Sequence, residues 1–238
     1  VAEEQTRGRG RRGTPWHSPR GGLWLSAALE LPVPGDGPAE PGLLPVAAAL
    51  AVAAAVRRQT GLGPRIKWPN DLYVGDGKLG GVMVESVGGD LGVLGIGLNA
   101  NVPAEALPSL EYGRAVSVLS ETGQRCDLES LLDAVLGEFA GRYALWLGGY
   151  GRPLVEEWWE CSREIGRLVE IRRRTEGSRV GAPGDVVAIG TAVSIDHSGA
   201  LILETMEGRL RVAAEPQFSM FVCGRSARGG SGNPHDEK

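Results

Sequence analysis

The run LLPVAAALAVAAAV at 43–56 carries no charged or polar side chain. A helix of that composition has no polar face to offer water, so the rest of the chain must cover it. It falls short of the roughly 20 residues that span a bilayer. It contains Pro45 near its start and is stopped by Arg57 and Arg58. The reading is a buried helix over 43–60, closed by Gly61 and Gly63 in the left-handed conformation. With 238 residues, 42% of them hydrophobic, the chain can wrap such a helix in one medium domain and add a small one. No disulfide or metal staple is needed to explain folding.

Other elements follow from pattern. Residues 22–31 form a short apolar strand, and 33–42 a surface connection rich in Pro and Gly. A brief strand at 65–68 is cut off by Pro69. Residues 71–85 alternate around Asp76 and Gly77, a two-residue hairpin signal. Residues 92–98 make another strand. Asp127 caps a helix that places Leu128, Leu131, Leu132, Val135 and Phe139 on one face. A third helical piece runs near 153–161. Beyond Cys161 the texture changes to short strands at 168–171, 186–193, 200–204 and 209–212. Turn signals at 183–184, 197–199 and 207–208 separate them. That spacing suggests a small barrel and a domain boundary near residue 163. The composition of 225–238 is that of a disordered tail.

Charge and thiols narrow the class. The formal net charge is -4, which disfavours a chain that coats nucleic acid. Cys126, Cys161 and Cys223 are odd in number and form no C-x-x-C, so reduced thiols and a cytoplasmic setting are expected. His17, His197 and His235 show no metal-ligand spacing. Val1 is not methionine, and residues 1–5 read like the end of a strand. The chain is therefore expected to be part of a longer product; no signal peptide or membrane span is read in it.

Three constellations can carry chemistry. GRGRRG at 8–13 formally fits a dinucleotide fingerprint, but Thr14, Pro15 and Trp16 follow where a helix should open, and three of its positions are Arg. A loop that grips an anion through backbone N–H groups and guanidinium forks is physically better; a solvated Arg-rich loop is the plain alternative. The second is KWPND at 67–71, followed by Lys78, Gly80 and Gly81. Only three of 25 basic residues are lysines, Lys67, Lys78 and Lys238, and two of them fall here. Where Arg is the default, a retained Lys marks a need for a compact point charge, although chance placement on a hairpin gives the same pattern. The third is GIGLNAN at 95–101. Glycine at alternate strand positions leaves one face bare, so a neighbouring element or a ligand must lie flat on it, with Asn99 at the strand end.

In this order, EEQTRGRGRRGTPW, IKWPNDLYVGDGKLGGVMVE, GIGLNAN and GTAVSIDHSGALILE resemble the biotin protein ligases (biotin–acetyl-CoA-carboxylase ligases) over nearly all of residues 1–222. The resemblance implies an α+β fold: a mixed β-sheet with helices on one side, related to class II aminoacyl-tRNA synthetases, plus a small C-terminal SH3-like β-barrel. The domains would be 1–162, catalytic with its first elements missing, and 163–224. It implies activation of biotin by ATP and magnesium to biotinyl-AMP, then transfer to a lysine of a biotin carboxyl carrier domain.

By the same resemblance Gln5, Arg9, Gly10 and Arg11 hold biotin, and Gly80 and Gly81 line its channel. Lys78 meets the biotin carboxylate or the adenylate phosphate. Arg11 orders the loop over the adenylate. Trp16 stacks on adenine. Lys67 and Asn70 serve the triphosphate and magnesium, with no metal cage of protein side chains, and Asn99 serves the nucleotide. Asp71 orients or deprotonates the incoming amine. The family's Ser/Thr-Asn element lies ahead of Val1, Thr14 replaces a second basic residue, and Arg7 receives no role. A homodimer is compatible with the family, and nucleic acid is not expected for this chain. Two alternatives are a lipoate or octanoate ligase or transferase of the same fold, and the C-terminal part of a biotin-responsive DNA-binding repressor.

Overall fold

Two antiparallel sheets and a layer of helices organise the chain, in a computed structural model that describes residues 1–32, 37–110, 113–173, 184–215 and 217–223. The first sheet holds β1 (Leu23–Glu30), β2 (Arg65–Lys67), β3 (Asp71–Val74), β4 (Gly77–Gly88) and β5 (Leu91–Leu98) in the order β1-β5-β4-β3-β2. A short β6 (Arg114–Ala115) runs parallel to β4. Against this sheet pack α1 (Leu44–Thr60) and α4 (Gly151–Cys161), and α3 (Leu128–Leu147) lies on α1; α2 (Val118–Thr122) follows β6. The second sheet comprises β7 (Leu168–Arg173), β8 (Asp185–Ile195), β9 (Leu201–Thr205), β10 (Gly208–Val212) and β11 (Phe218–Val222), in the order β10-β9-β8-β7-β11.

The alanine-rich run is the buried helix α1. Its residues 47–49, 51 and 53 are at most 1% exposed. Alanine lets α3 and the sheet approach the helix closely, while Leu44, Val46, Leu50, Val52 and Val56 each supply about 1.5–3 kcal/mol of transfer free energy or somewhat less. Gly61 closes the helix with φ 73° and bonds back to the Arg57 carbonyl. Gly63 is not left-handed. Counted with the turn ahead of it, Pro41–Thr60 reaches 20 residues, long enough to cross a membrane, yet 67% of its apolar window is buried in the protein. The Asp127 cap accepts from the Glu129 N–H, and Leu131, Val135 and Phe139 face the core.

The β3–β4 hairpin differs from expectation by one residue. Val74 pairs with Gly77, so Gly75 and Asp76 make the turn, with Gly75 at φ 53°. Gly77 belongs to the strand for another reason: a Cβ there would lie 2.2 Å from Val116 Cγ1. Sequence reading also omits α2, β6 and β11. The expected turn at 183–184 falls partly, and the expected tail 225–238 wholly, outside the described residues.

The two sheets share a continuous apolar core. Residues 162–164 run alongside β2: Ser162 bridges Ile66 in parallel, and the Arg163 N–H donates to the Ile66 carbonyl at 2.9 Å. The buried Trp68 indole donates to the Gly199 carbonyl at 3.0 Å, in the turn between β8 and β9. Gly42 and Gly199 pack backbone to backbone, where a Cβ on Gly199 would come within 2.4 Å of the Gly42 carbonyl. The second sheet is therefore seated against the first and reaches the cleft described next.

Candidate active site

The Gly/Arg segment forms a hairpin rather than a strand-to-helix turn. Gln5 bridges Ser18 and Arg9 bridges Pro15, with a 3-10 turn over Arg11–Gly13 at the tip. The Trp16 N–H donates to the Gly8 carbonyl at 2.9 Å, and the Gly10 N–H to the Thr14 carbonyl at 2.7 Å. Glycine is required at position 8, where a Cβ would sit 2.4 Å from the Trp16 carbonyl oxygen. This hairpin hangs over β4 and β5 and roofs a cleft of about 290 Å³.

Gln5, Arg9, Gly10, Arg11, Trp16, Asn70, Asp71, Lys78 and Gly81 all line that cleft. A second cleft of about 550 Å³ lies beside it, lined by Arg7, Trp16, His17, Lys78, Asn99 and Ser109 among others. Trp16 and Lys78 border both. Glycines on the sheet explain how the indole fits: a Cβ on Gly97 would lie 2.6 Å from Trp16 Nε1, and one on Gly81 3.7 Å from its Cη2. The bare strand face thus carries a neighbouring side chain, beside Gly95 and Met83, which line the first cleft.

Charge concentrates here. The Lys78 ammonium pairs with Asp71 at 2.8 Å and stands 5.1 Å from the Trp16 ring centroid. Among the described residues lining either cleft, Asp71 is the sole carboxylate, against Arg9, Arg11 and Lys78 in the first. The excess of cations suits an anionic ligand. Arg11 spans the cleft mouth. It donates to Asn70 Oδ1 at 3.2 Å and to the Glu215 and Ala214 carbonyls at 3.0 and 3.5 Å. Asn70 in turn donates to the Val82 carbonyl.

Two expected residues, Lys67 and Gly80, stand outside both clefts, and a third, Asn99, borders the second cleft with its amide nitrogen engaged. Lys67 lines neither cleft; its ammonium sits over the rings of Phe221 and Tyr73, 5.1 and 5.7 Å from their centroids. Burial lowers its pKa, against the pull of Asp71 and Glu164. Asn99 borders the second cleft, but its amide nitrogen is spent on the Val116 carbonyl at 2.9 Å. Gly80 lies in the ladder between Leu72 and Leu98, where a Cβ would strike the Gly97 carbonyl oxygen at 2.6 Å, so it packs the sheet and does not line the cleft. Sequence reading also missed Phe218 and Ser219 of β11, which close the first cleft from the second sheet. The apolar run FSMFV at 218–222 is the signal that could have found them.

Magnesium is tested by the donor set. Among the described residues no group of three His, Cys, Asp or Glu can hold a metal. Asn70 is engaged by Arg11 and Val82, and Asp71 by Lys78. The residues suit a magnesium ion carried in by nucleotide phosphates, with at most one or two protein oxygens, rather than a protein cage.

Comparison with known proteins agrees with this geometry. Residues 1–101 match the model of the biotin/lipoate A/B protein ligase family. The biotin–[acetyl-CoA-carboxylase] ligase of Paracoccus denitrificans is 34% identical over 92% of this chain and 88% of its own length. The bifunctional ligase/repressor BirA of Bacillus spizizenii is 32% identical over 87% of this chain, which spans only 62% of that longer protein. Among solved structures, the biotin protein ligase of Aquifex aeolicus in complex with biotin and ATP superposes with a TM-score of 0.76 at 27% identity, covering 93% of this chain and 88% of that one. With a relative this similar along almost its whole length, the chain belongs to the biotin/lipoate A/B protein ligase family.

Proposed function

We propose that this chain is an ATP-dependent biotin protein ligase: it joins biotin to AMP, then passes biotin to a lysine of a carrier domain. The observation that carries the reading is Lys78, one ammonium bordering two clefts. An acid in the first cleft and a nucleotide in the second would meet at it. In the first step a biotin carboxylate oxygen attacks the α-phosphorus of ATP and pyrophosphate leaves. Two anions must approach, and charge grows on the phosphate oxygens; Lys78 and Arg11 offset it. Bound magnesium would add to that neutralisation from the triphosphate side.

In the second step the carrier amine attacks the acyl carbon and AMP departs. A lysine amine with pKa of about 10 must first lose a proton, and Asp71 is the carboxylate placed to take or orient it. Gln5, Arg9, Gly10 and Gly81 would frame biotin and Trp16 would stack on adenine. Asn70 would hold Arg11 and serve the phosphates. Lys67 would have to leave its aromatic niche to reach a triphosphate, and Asn99 would support the nucleotide cleft through the backbone it holds.

The proposal extends to organisation. Residues 1–162 would form the catalytic domain and 163–224 a small SH3-like barrel, for which the five-stranded antiparallel sheet is the support. The partner would be the biotin carboxyl carrier domain of a carboxylase, with no nucleic acid bound by this chain and a homodimer compatible with the exposed edge of β1. The three thiols are free, which suits the cytoplasm. Biotin-dependent exchange of pyrophosphate into ATP tests the reading. Exchange is expected with biotin and not with lipoate or octanoate; exchange with lipoate alone, or none with any acid, overturns it.

A further inference from the structure

Arg7 has no task in the steps above, yet it lines the second cleft. The Gly/Arg hairpin fixes its backbone between two rungs. The Gln5 N–H donates to the Ser18 carbonyl at 3.0 Å, and the Trp16 N–H to the Gly8 carbonyl at 2.9 Å. The buried Ser18 hydroxyl adds a bond to Gln5 Oε1 at 2.7 Å. Pro108, Ser109 and Leu110 line the same cleft from a separate segment. That segment is tied to the hairpin and its exit: the Asn101 N–H donates to the Gly21 carbonyl at 2.7 Å, and His17 Nε2 to the Ala106 carbonyl at 3.1 Å. Arg7 thus springs from a fixed base, on a cleft whose walls are joined to each other.

The surrounding charges leave its guanidinium available. The carboxylates nearest in sequence, Glu3 and Glu4, face Arg20 at 2.7 and 3.8 Å. Among the described residues no carboxylate stands within ion-pair distance of Arg7. Among the described residues lining the second cleft, Arg7 and Lys78 are the Arg and Lys side chains, and there is no carboxylate. Lys78 is already paired with Asp71 and shared with the first cleft. Arg9 and Arg11 line the first cleft and not the second. A guanidinium without a counter-ion, on a cleft without a carboxylate, suits phosphate, whose oxygens match its fork in pairs.

Which phosphate it takes follows from the ligase reading, on which this inference rests. In phosphoryl transfer the attacking and leaving oxygens lie roughly in line. An acid attacking from the first cleft therefore expels pyrophosphate on the far side of the α-phosphorus, into the second. The bond from the α-phosphorus to the bridging oxygen breaks as the bond to the carboxylate oxygen forms, and the electron pair leaves with pyrophosphate. That group carries most of the negative charge of the nucleotide, and Lys67 lines neither cleft. We propose that Arg7 is a binding residue for the β- and γ-phosphates of the nucleotide. Its guanidinium grips the departing pyrophosphate while Lys78 attends the α-phosphate.

The test separates the phosphate chain from the rest of the nucleotide. Affinities for ATP and for AMP are measured by calorimetry on the parent and on Arg7→Ala. ATP binding should weaken about tenfold and AMP binding should stay within about twofold. In biotin-dependent exchange the KM for ATP and for pyrophosphate should each rise about tenfold, with the biotin KM within about twofold. Free guanidinium ion, below denaturing concentration, should restore part of the loss in Arg7→Ala, and Arg7→Lys should fall between the two. Arg7 is exposed, so the variant is expected to fold; should it not, Arg7→Gln and Arg7→Lys are read by the same ATP-to-AMP ratio. An unchanged ATP affinity, or ATP and AMP weakened alike, overturns the proposal. A parent whose ATP affinity depends on Arg7 but which shows no exchange refutes the ligase reading and leaves the phosphate site standing. Exchange indifferent to Arg7 refutes the site alone.

Discussion

The Lys78 ammonium rests 2.8 Å from the Asp71 carboxylate, with side-chain exposures of only 20% and 25%. In the proposed reaction the two separate their work, the cation serving adenylate formation and the carboxylate serving transfer. Lys78→Ala should lower biotin-dependent pyrophosphate exchange by about 100- to 1,000-fold, the scale of losing one transition-state charge partner. Asp71→Asn should leave exchange within about tenfold and slow single-turnover transfer from preformed adenylate by about 100-fold. The reverse ranking would exchange the two roles.

Gly97→Val places a side chain whose first atom starts 2.6 Å from Trp16 Nε1. The indole must move off the strand. The KM for ATP should rise about tenfold or more, in line with the loss of one stacking surface worth roughly 1–3 kcal/mol. Chemical denaturation should change little, because Trp16 belongs to a surface hairpin. An unaltered ATP KM would remove Trp16 from the nucleotide cleft.

Asp196 organises the turn that presents Gly199. Its carboxylate accepts from the Ser198 and Ala200 N–H groups, the Ser198 hydroxyl and Arg211. Those bonds outweigh burial and hold its pKa down to about 2, from the usual 3.8. A depressed carboxylate contributes stability that is full above about pH 4 and is lost as pH falls through 2. Asp196→Asn should therefore lower the thermal midpoint by about 2–4 °C at pH 7, with the gap to the parent closing toward pH 2. A gap independent of pH would mean that the charge contributes nothing.

Trp68→Phe removes the indole donor and leaves the Gly199 carbonyl buried without it. The expected loss is about 1–3 kcal/mol in urea unfolding, with activity retained in the folded fraction. An unchanged midpoint would show that this bond does not hold the sheets together.

Much of the architecture is legible in local chemistry. The charge-free alanine run could be satisfied only by burial, and Asp127 announced a helix by the geometry of capping. The GRGRRG hairpin, Asn70, Asp71 and Lys78 are distant in sequence, yet they line one cleft because β3 and β4 form a tight hairpin beneath the loop. Other features depend on tertiary contacts that no local pattern encodes. Gly77 reads as a turn residue, but Val116 needs its bare backbone. Lys67 belongs to a motif, yet aromatic rings from two sheets draw it away from the cleft. Asn99 spends its amide on Val116, and Phe218 and Ser219 reach the cleft from the far end of the chain.

Arg11 joins the cleft roof to the Ala214 and Glu215 carbonyls, in the connection between β10 and β11 of the second sheet. Loop closure and the seating of that sheet are thereby one thermodynamic linkage. A ligand anion that recruits Arg11 competes with these carbonyls, and whatever free energy it takes from them must return, with equal size and the same sign, as a change in ligand affinity when the second sheet is loosened. The C-terminal strands are in that sense a built-in competitor that sets how firmly an empty cleft is shut.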